Sequence, residues 1–212
     1  MCADANGKAV GLDVELLDAI ARDQNFRYEL RPSDWDTAMS VFTSHQAQVL
    51  MGSIASSQER IDGGWFFSHS FYNGVTQSMA MEPSSDTSTL EDLAGKAVAV
   101  VSGTLGAAYA ESVKDKYGFS IATFSDSHSM YAAVLKGRAA ACFEDTPALR
   151  DSIAGGVALE LVPGSEGAAS DYCVAICDEK DRPFLELFNQ GLANIRANGI
   201  YDAILAKYTD TL

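Results

Sequence analysis

Apolar residues recur along this chain with two alternating periods. Val14, Leu17, Ile20 and Ala21 share one helical face, which predicts a helix from Asp13, as its N-cap, to about residue 23. Phe26, Tyr28 and Leu30 then alternate with Arg27 and Glu29, the period of a strand. Asp34 opens a second helix to about residue 44. Residues 48–51 read as a short apolar strand and 53–60 as a polar loop.

A Ser/Asp/Thr-rich linker at 84–88 starts a more regular rhythm. Strands are predicted at 97–101, 120–124, 139–143 and 157–162. Helices at 106–117, 129–136 and 146–153 fall between them. This βα order implies a mostly parallel sheet covered by helices. An apolar strand at 172–177 follows, then a long helix at 182–197 and a last one at 201–208. The pattern predicts an α/β protein of two lobes. Residues 83–174 form the continuous lobe, and 1–82 plus 175–212 form the other. Chain crossings near 79–81 and 174–177 would make a natural hinge.

Charge narrows the partners. The 212 residues carry 15 Lys+Arg against 29 Asp+Glu, a formal net charge of −14. That balance repels phosphate backbones and anionic membrane surfaces, so nucleic acid is not an expected partner. No long apolar run predicts a membrane span, and no signal peptide opens the chain. Cys2, Cys142, Cys173 and Cys177 form no CxxC pair, which favours small buried hydrophobes over a metal or redox site. His45, His69 and His128 are scattered, and neither a GxSxG nor a P-loop occurs, so no metal or cofactor is expected.

Four places carry candidate chemistry. Ser102-Gly103-Thr104 follows a strand and opens a helix, where N–H groups and hydroxyls can hold a carboxylate. Ordinary N-capping explains the same residues. Asp145, before Thr146-Pro147, is either another cap or a carboxylate at the ligand-binding end of a sheet strand, placed to take an ammonium group. Arg60 is either a surface cation or a bidentate grip on a carboxylate. Trp35 either walls a pocket or belongs to the core.

The ordered set of segments resembles the family-3 solute-binding proteins, receptors for polar amino acids in ABC import, over nearly the whole chain. Gly7-Lys8-Ala9-Val10-Gly11-Leu12-Asp13-Val14-Glu15-Leu16 is similar to the family's GKxxGFDVDL. Ser53-Ile54-Ala55-Ser56-Ser57-Gln58-Glu59-Arg60 is similar to its loop ending in the ligand-gripping Arg, and Phe67-Ser68-His69-Ser70-Phe71-Tyr72 to FSxPYY. Leu93-Ala94-Gly95-Lys96-Ala97-Val98-Ala99-Val100 with Ser102-Gly103-Thr104 resembles DLKGKxVAVxxGT. Gly137-Arg138-Ala139-Ala140-Ala141 with Asp145-Thr146-Pro147 matches GRxDA…DTP, and Asn198-Gly199-Ile200-Tyr201-Asp202 resembles the family tail.

The resemblance implies a type II Venus-flytrap fold with two hinge crossings and a free amino acid clamped between the lobes. Arg60 would take the α-carboxylate, helped by Thr104 with Ser102 and Gly103. Asp145 would take the α-ammonium, helped by the Ser53 carbonyl, and Trp35 would cover the side chain. Ala55 stands where the family usually offers a hydroxyl, and Glu144 beside Asp145 would bear on specificity. The implied partner is an ABC transporter permease. The implied location is extracytoplasmic, with a lipid anchor in the precursor left open.

Only residues 1–6 precede Gly7, so the family's first strand has no counterpart in the sequence. The chain is then trimmed, pairs with a second copy as a homodimer by strand exchange, or folds unusually. Two rivals share the scaffold: a cyclohexadienyl dehydratase-like enzyme with Glu144 as general acid, and the ligand-sensing domain of a receptor.

Overall fold

The computed structural model describes residues 2–3, 9–52 and 54–209. They divide into two compact units, 1–73 with 171–212 and 74–170, earlier on the chain than the boundaries expected at 82/83 and 174/175.

The first unit begins with β1 (Cys2–Ala3), paired antiparallel with β2 (Ala9–Val10) of the same chain. Helix α1 (Leu12–Asp23) follows. Its N-cap is Gly11, at φ 120°, a backbone angle suited to glycine; Asp13 lies buried in the first turn and does not cap it. Residues 26–30 are not a strand. Their alternation has another cause: the Phe26 ring packs edge-on against Phe184, and the Tyr28 hydroxyl donates to Asp18 Oδ1 at 2.6 Å. Helix α2 (Trp35–Thr43) starts at Asp34, whose carboxylate accepts from Thr37 N at 2.8 Å. The strand expected at 48–51 shrinks to one bridge, Leu50 with Ala175. The loop expected at 53–60 ends in a short helix, α3 (Gln58–Asp62), capped by Ser57, and β3 (Phe66–Phe67) follows.

The second unit is built on a mixed sheet. Its long strand β4 (Tyr72–Met81) was not legible, because Gln77 and Ser78 are buried side by side with Met79 and Ala80 and leave no apolar alternation. Then come β5 (Ala97–Val101), α4 (Leu105–Tyr117), β6 (Ser120–Phe124), α5 (Ser127–Leu135), β7 (Ala141–Asp145), α6 (Thr146–Ala154), β8 (Glu160–Leu161) and β9 (Gly167–Tyr172). The strand order is β6-β5-β7-β4-β8, with β9 also on β4. Strands β6, β5 and β7 run parallel, and β4 runs antiparallel to β7 and β8. Strand β7 lies two residues later than expected, since pairing with β4 carries it through Glu144 and Asp145. One core gathers Met79, Leu93, Val98, Val100, Phe119 and Phe143. Each such fully buried side chain contributes about 1.5–3 kcal/mol.

The chain then returns to the first unit. Residues 172–176, which include β10 (Ala175–Ile176), run between two partners. Leu50 and Ile54 bond on one side, and Ser68 and Phe71 on the other. Helices α7 (Arg182–Ala197) and α8 (Ile200–Thr209) pack on α1, and Leu16, Leu17 and Ile20 of α1 are buried along with Phe188, Leu192 and Ile195 of α7. Cys142 and Cys173 are buried free thiols, and Cys177 is half-buried with its Sγ 3.1 Å from the Phe42 carbonyl. No helix among the described residues is long and apolar enough to cross a membrane.

Candidate functional site

The first unit gathers Arg60, Ala55 and Trp35. Helix α3 sets Arg60 in its first turns, with Ser57 accepting from Arg60 N at 3.3 Å. The guanidinium Nη1 donates to the Ala55 carbonyl at 2.7 Å. Its Cζ lies 5.8 Å from the centroid of Trp35 and 5.4 Å from that of Trp65. Two aromatic faces and a carbonyl therefore hold the cation by its π face and one N–H.

Trp35 is half-buried against a cluster of Phe42, Leu50, Ile54, Trp65 and Ala175. Ala55 is fully buried and bridges Tyr172; its contribution here is a backbone carbonyl, not a hydroxyl. Trp65 was missed by the sequence reading. The Gly63-Gly64 step before it was the available signal, since such a step marks a turn that sets the next side chain. Ser53 lies outside the described residues.

The second unit gathers Ser102, Gly103, Thr104 and Asp145. Parallel strands β5 and β7 are adjacent, with Val98 opposite Ala141 and Ala99 opposite Cys142. Ser102 lies in the turn that follows β5 and Asp145 closes β7, so both stand at the carboxyl ends of parallel strands, where α/β sheets take ligands. Thr104 is a true N-cap: its hydroxyl donates to Val101 O at 2.8 Å and accepts from Ala107 N at 3.2 Å. With Ala107 N–H taken by the cap, the N–H groups of Leu105 and Gly106 are what the first turn of α4 has left to offer an anion.

Asp145 differs. It occupies the N-cap position of α6 but makes no side-chain cap bond, although it is buried. Its Oδ1 accepts instead from Gln77 Nε2, directly across the β4–β7 pair. A third approach tightens this end of the unit. A Cβ on Gly106 would lie 2.6 Å from Phe143 O, so only glycine lets α4 sit this close to β7.

Glu144 is not brought together with Asp145. Successive residues of a strand face opposite sides, and Glu144 faces α5. Its Oε1 accepts from Ser127 Oγ at 2.6 Å, its Oε2 accepts from the Tyr131 hydroxyl, and Ser152 lies 3.1 Å from that hydroxyl. Burial pushes the Glu144 carboxyl above the usual range, against the opposing pull of the Ser127 and Tyr131 hydrogen bonds. The Tyr131 phenol is raised too, by burial first and by Glu144 second.

Residues 1–211 match the model of the bacterial extracellular solute-binding proteins, family 3. The chain is 25% identical to the lysine/arginine/ornithine-binding periplasmic protein of Escherichia coli strain K12, over 98% of this chain and 82% of that one. Among solved structures, the second substrate-binding domain of a putative amino acid ABC transporter from Streptococcus pneumoniae Canada MDR_19A is 33% identical. It is matched over 97% of this chain and 92% of that one, with a TM-score of 0.66. An ancestral arginine-binding protein bound to arginine is 25% identical over 98% and 91%, with a TM-score of 0.85.

Proposed function

The chain belongs to the bacterial extracellular solute-binding proteins of family 3, with their type II two-lobed fold, and from that premise we propose that it binds a free amino acid outside the cytoplasm and delivers it to an ABC transporter permease. The observation that carries this reading is a pair of opposite charges set by separate units. Arg60 is held by the Ala55 carbonyl and two indole faces, and Asp145 is oriented by Gln77 rather than by the helix it precedes.

A zwitterion removed from water needs both charges met, or desolvation costs several kcal/mol. Arg60 supplies the carboxylate partner, with the N–H groups at the start of α4. Asp145 supplies the ammonium partner, and Trp35 the apolar wall. A ligand that needs groups from both units favours the state that provides them together.

The relatives are named as binding proteins, not enzymes. Glu144, the only candidate acid for a dehydratase, is held by Ser127 and Tyr131 on the other side of its strand from Asp145. A strand-exchanged homodimer has no observation in its favour, because β1 pairs with β2 of its own chain.

Thermal unfolding with each of the common L-amino acids tests the reading. An amino acid at about 100 times its Kd adds about 2.7 kcal/mol to stability, a Tm rise of several degrees for a chain this size. One amino acid or a small related group should give that rise. No shift with any of them, from ligand-stripped and refolded protein, would remove the reading.

A further inference from the structure

We propose that Gln77 is a ligand-contacting residue: its side-chain oxygen accepts a hydrogen from the α-ammonium group of the bound amino acid, beside Asp145. The inference rests on the amino-acid reading above and adds a residue to that site.

Three observations carry it. Gln77 is entirely buried in the middle of β4, opposite Asp145. Its Nε2 donates to Asp145 Oδ1, which fixes the amide orientation, because the reverse flip would set oxygen against oxygen. Its Oε1 is then left over. Among the described residues it is the one buried side-chain nitrogen or oxygen without a hydrogen-bond partner.

Buried acceptors are almost always paired, so an orphan calls for an explanation in function. The surroundings name the chemistry it awaits. Oε1 lies against the first turn of α4, 3.3 Å from where a Cβ on Gly106 would stand. A glycine there sets helix backbone rather than a side chain against the oxygen, which is fully buried. A carbonyl oxygen bonded through its own amide to a carboxylate forms a pair of acceptors, one neutral and one charged. Such a pair suits a compact donor with several N–H groups, and an ammonium has three. Pattern alone does not mark this residue, since a glutamine inside a strand reads as an ordinary polar position.

Wild type, Gln77→Met and Gln77→Glu, each stripped of carried-over ligand, would be titrated calorimetrically at pH 6 with L-arginine, L-lysine, L-histidine and L-glutamine. Unfolding curves without ligand would accompany them. Met keeps the length and loses both polar atoms. Glu shares a proton with Asp145, because two adjoining carboxyls do not both ionise, and so keeps a neutral acceptor next to a charged one.

For the amino acid that wild type binds most tightly, Gln77→Met should weaken binding by about tenfold or more, and Gln77→Glu should recover at least about half of that loss on a logarithmic scale. A purely structural role would not give that order, since an isosteric apolar residue fills the space as well. A loss under about fivefold in Gln77→Met, or an equal loss in both variants, overturns the inference while amino-acid binding stands. A loss that tracks a fall in the ligand-free Tm also overturns it. If wild type binds none of the four, the amino-acid reading fails on this panel and the inference falls with it.

Discussion

The two compact units position their candidate groups by different physical means. In the first, Arg60 sits on a five-residue helix and is held by contacts at its own tip: two indole faces and the Ala55 carbonyl. In the second, Asp145 and the Ser102–Thr104 turn inherit their places from the ends of adjacent parallel strands. The first arrangement depends on a few side chains, and the second on the sheet. Substitutions in the first unit should therefore weaken binding with little effect on folding, and comparable ones in the second should also cost stability.

Close packing gives the largest expected contrast. Gly106→Ala places a methyl 2.6 Å from the Phe143 carbonyl, backbone that cannot move without shifting β7. Overpacking of this kind costs about 1–3 kcal/mol, and denaturant unfolding should place Gly106→Ala near the upper end. Gly191→Ala in the first unit also comes too close, 2.8 Å from Ile20 Cγ2 and 2.9 Å from Gln24 Cγ, but those are side-chain atoms that can turn aside. It should cost clearly less. Equal losses would show that the sheet end of the second unit is no more rigid than the helix pair of the first.

Trp65→Leu comes next in size. It keeps an apolar filler in the Phe42–Ile54 cluster and removes one of the two faces on Arg60. Amino-acid affinity should fall by a factor corresponding to about 0.5–2 kcal/mol. Unchanged affinity would mean that the Ala55 carbonyl alone sets the guanidinium.

The smallest effect concerns Glu144. Its folded pKa lies above its unfolded one because burial disfavours the carboxylate. The unfolded chain therefore ionises first. The stability that protonated Glu144 contributes is full below the unfolded pKa and is lost as pH rises through the folded one. Glu144→Gln, neutral at every pH, should gain on wild type as pH rises from 4 to 8 in paired melting curves. A gap that does not change with pH would mean that Glu144 ionises in the fold as readily as in the unfolded chain.

The same contrast explains what could be read from the sequence. Strands 97–101 and 120–124 were legible to the residue, because short apolar runs between helical periods have few other readings. The first unit misled, because Phe26, Tyr28 and Leu30 alternate for helix packing and a hydroxyl bond rather than for a sheet. Strand β4 was hidden by its buried polar residues: periodicity counts Gln77 and Ser78 as surface. Arg60, Trp35 and Asp145 were singled out by resemblance and position. Trp65 and Gln77 escaped it, since Trp65 acts through the cation it covers and Gln77 is a polar residue inside a strand that periodicity does not mark.

Calorimetric titration of ligand-stripped wild type, Arg60→Ala and Asp145→Ala, with the amino acid that shifts wild-type Tm most, tests the central claim most directly. In the proposed reading Arg60 answers the ligand's carboxylate and Asp145 its ammonium group. Both variants should lose at least about 100-fold in affinity, because removing either partner strands a charge on the ligand. If either folded variant binds as tightly as wild type, that residue does not hold the ligand, and the two-unit account of recognition is wrong.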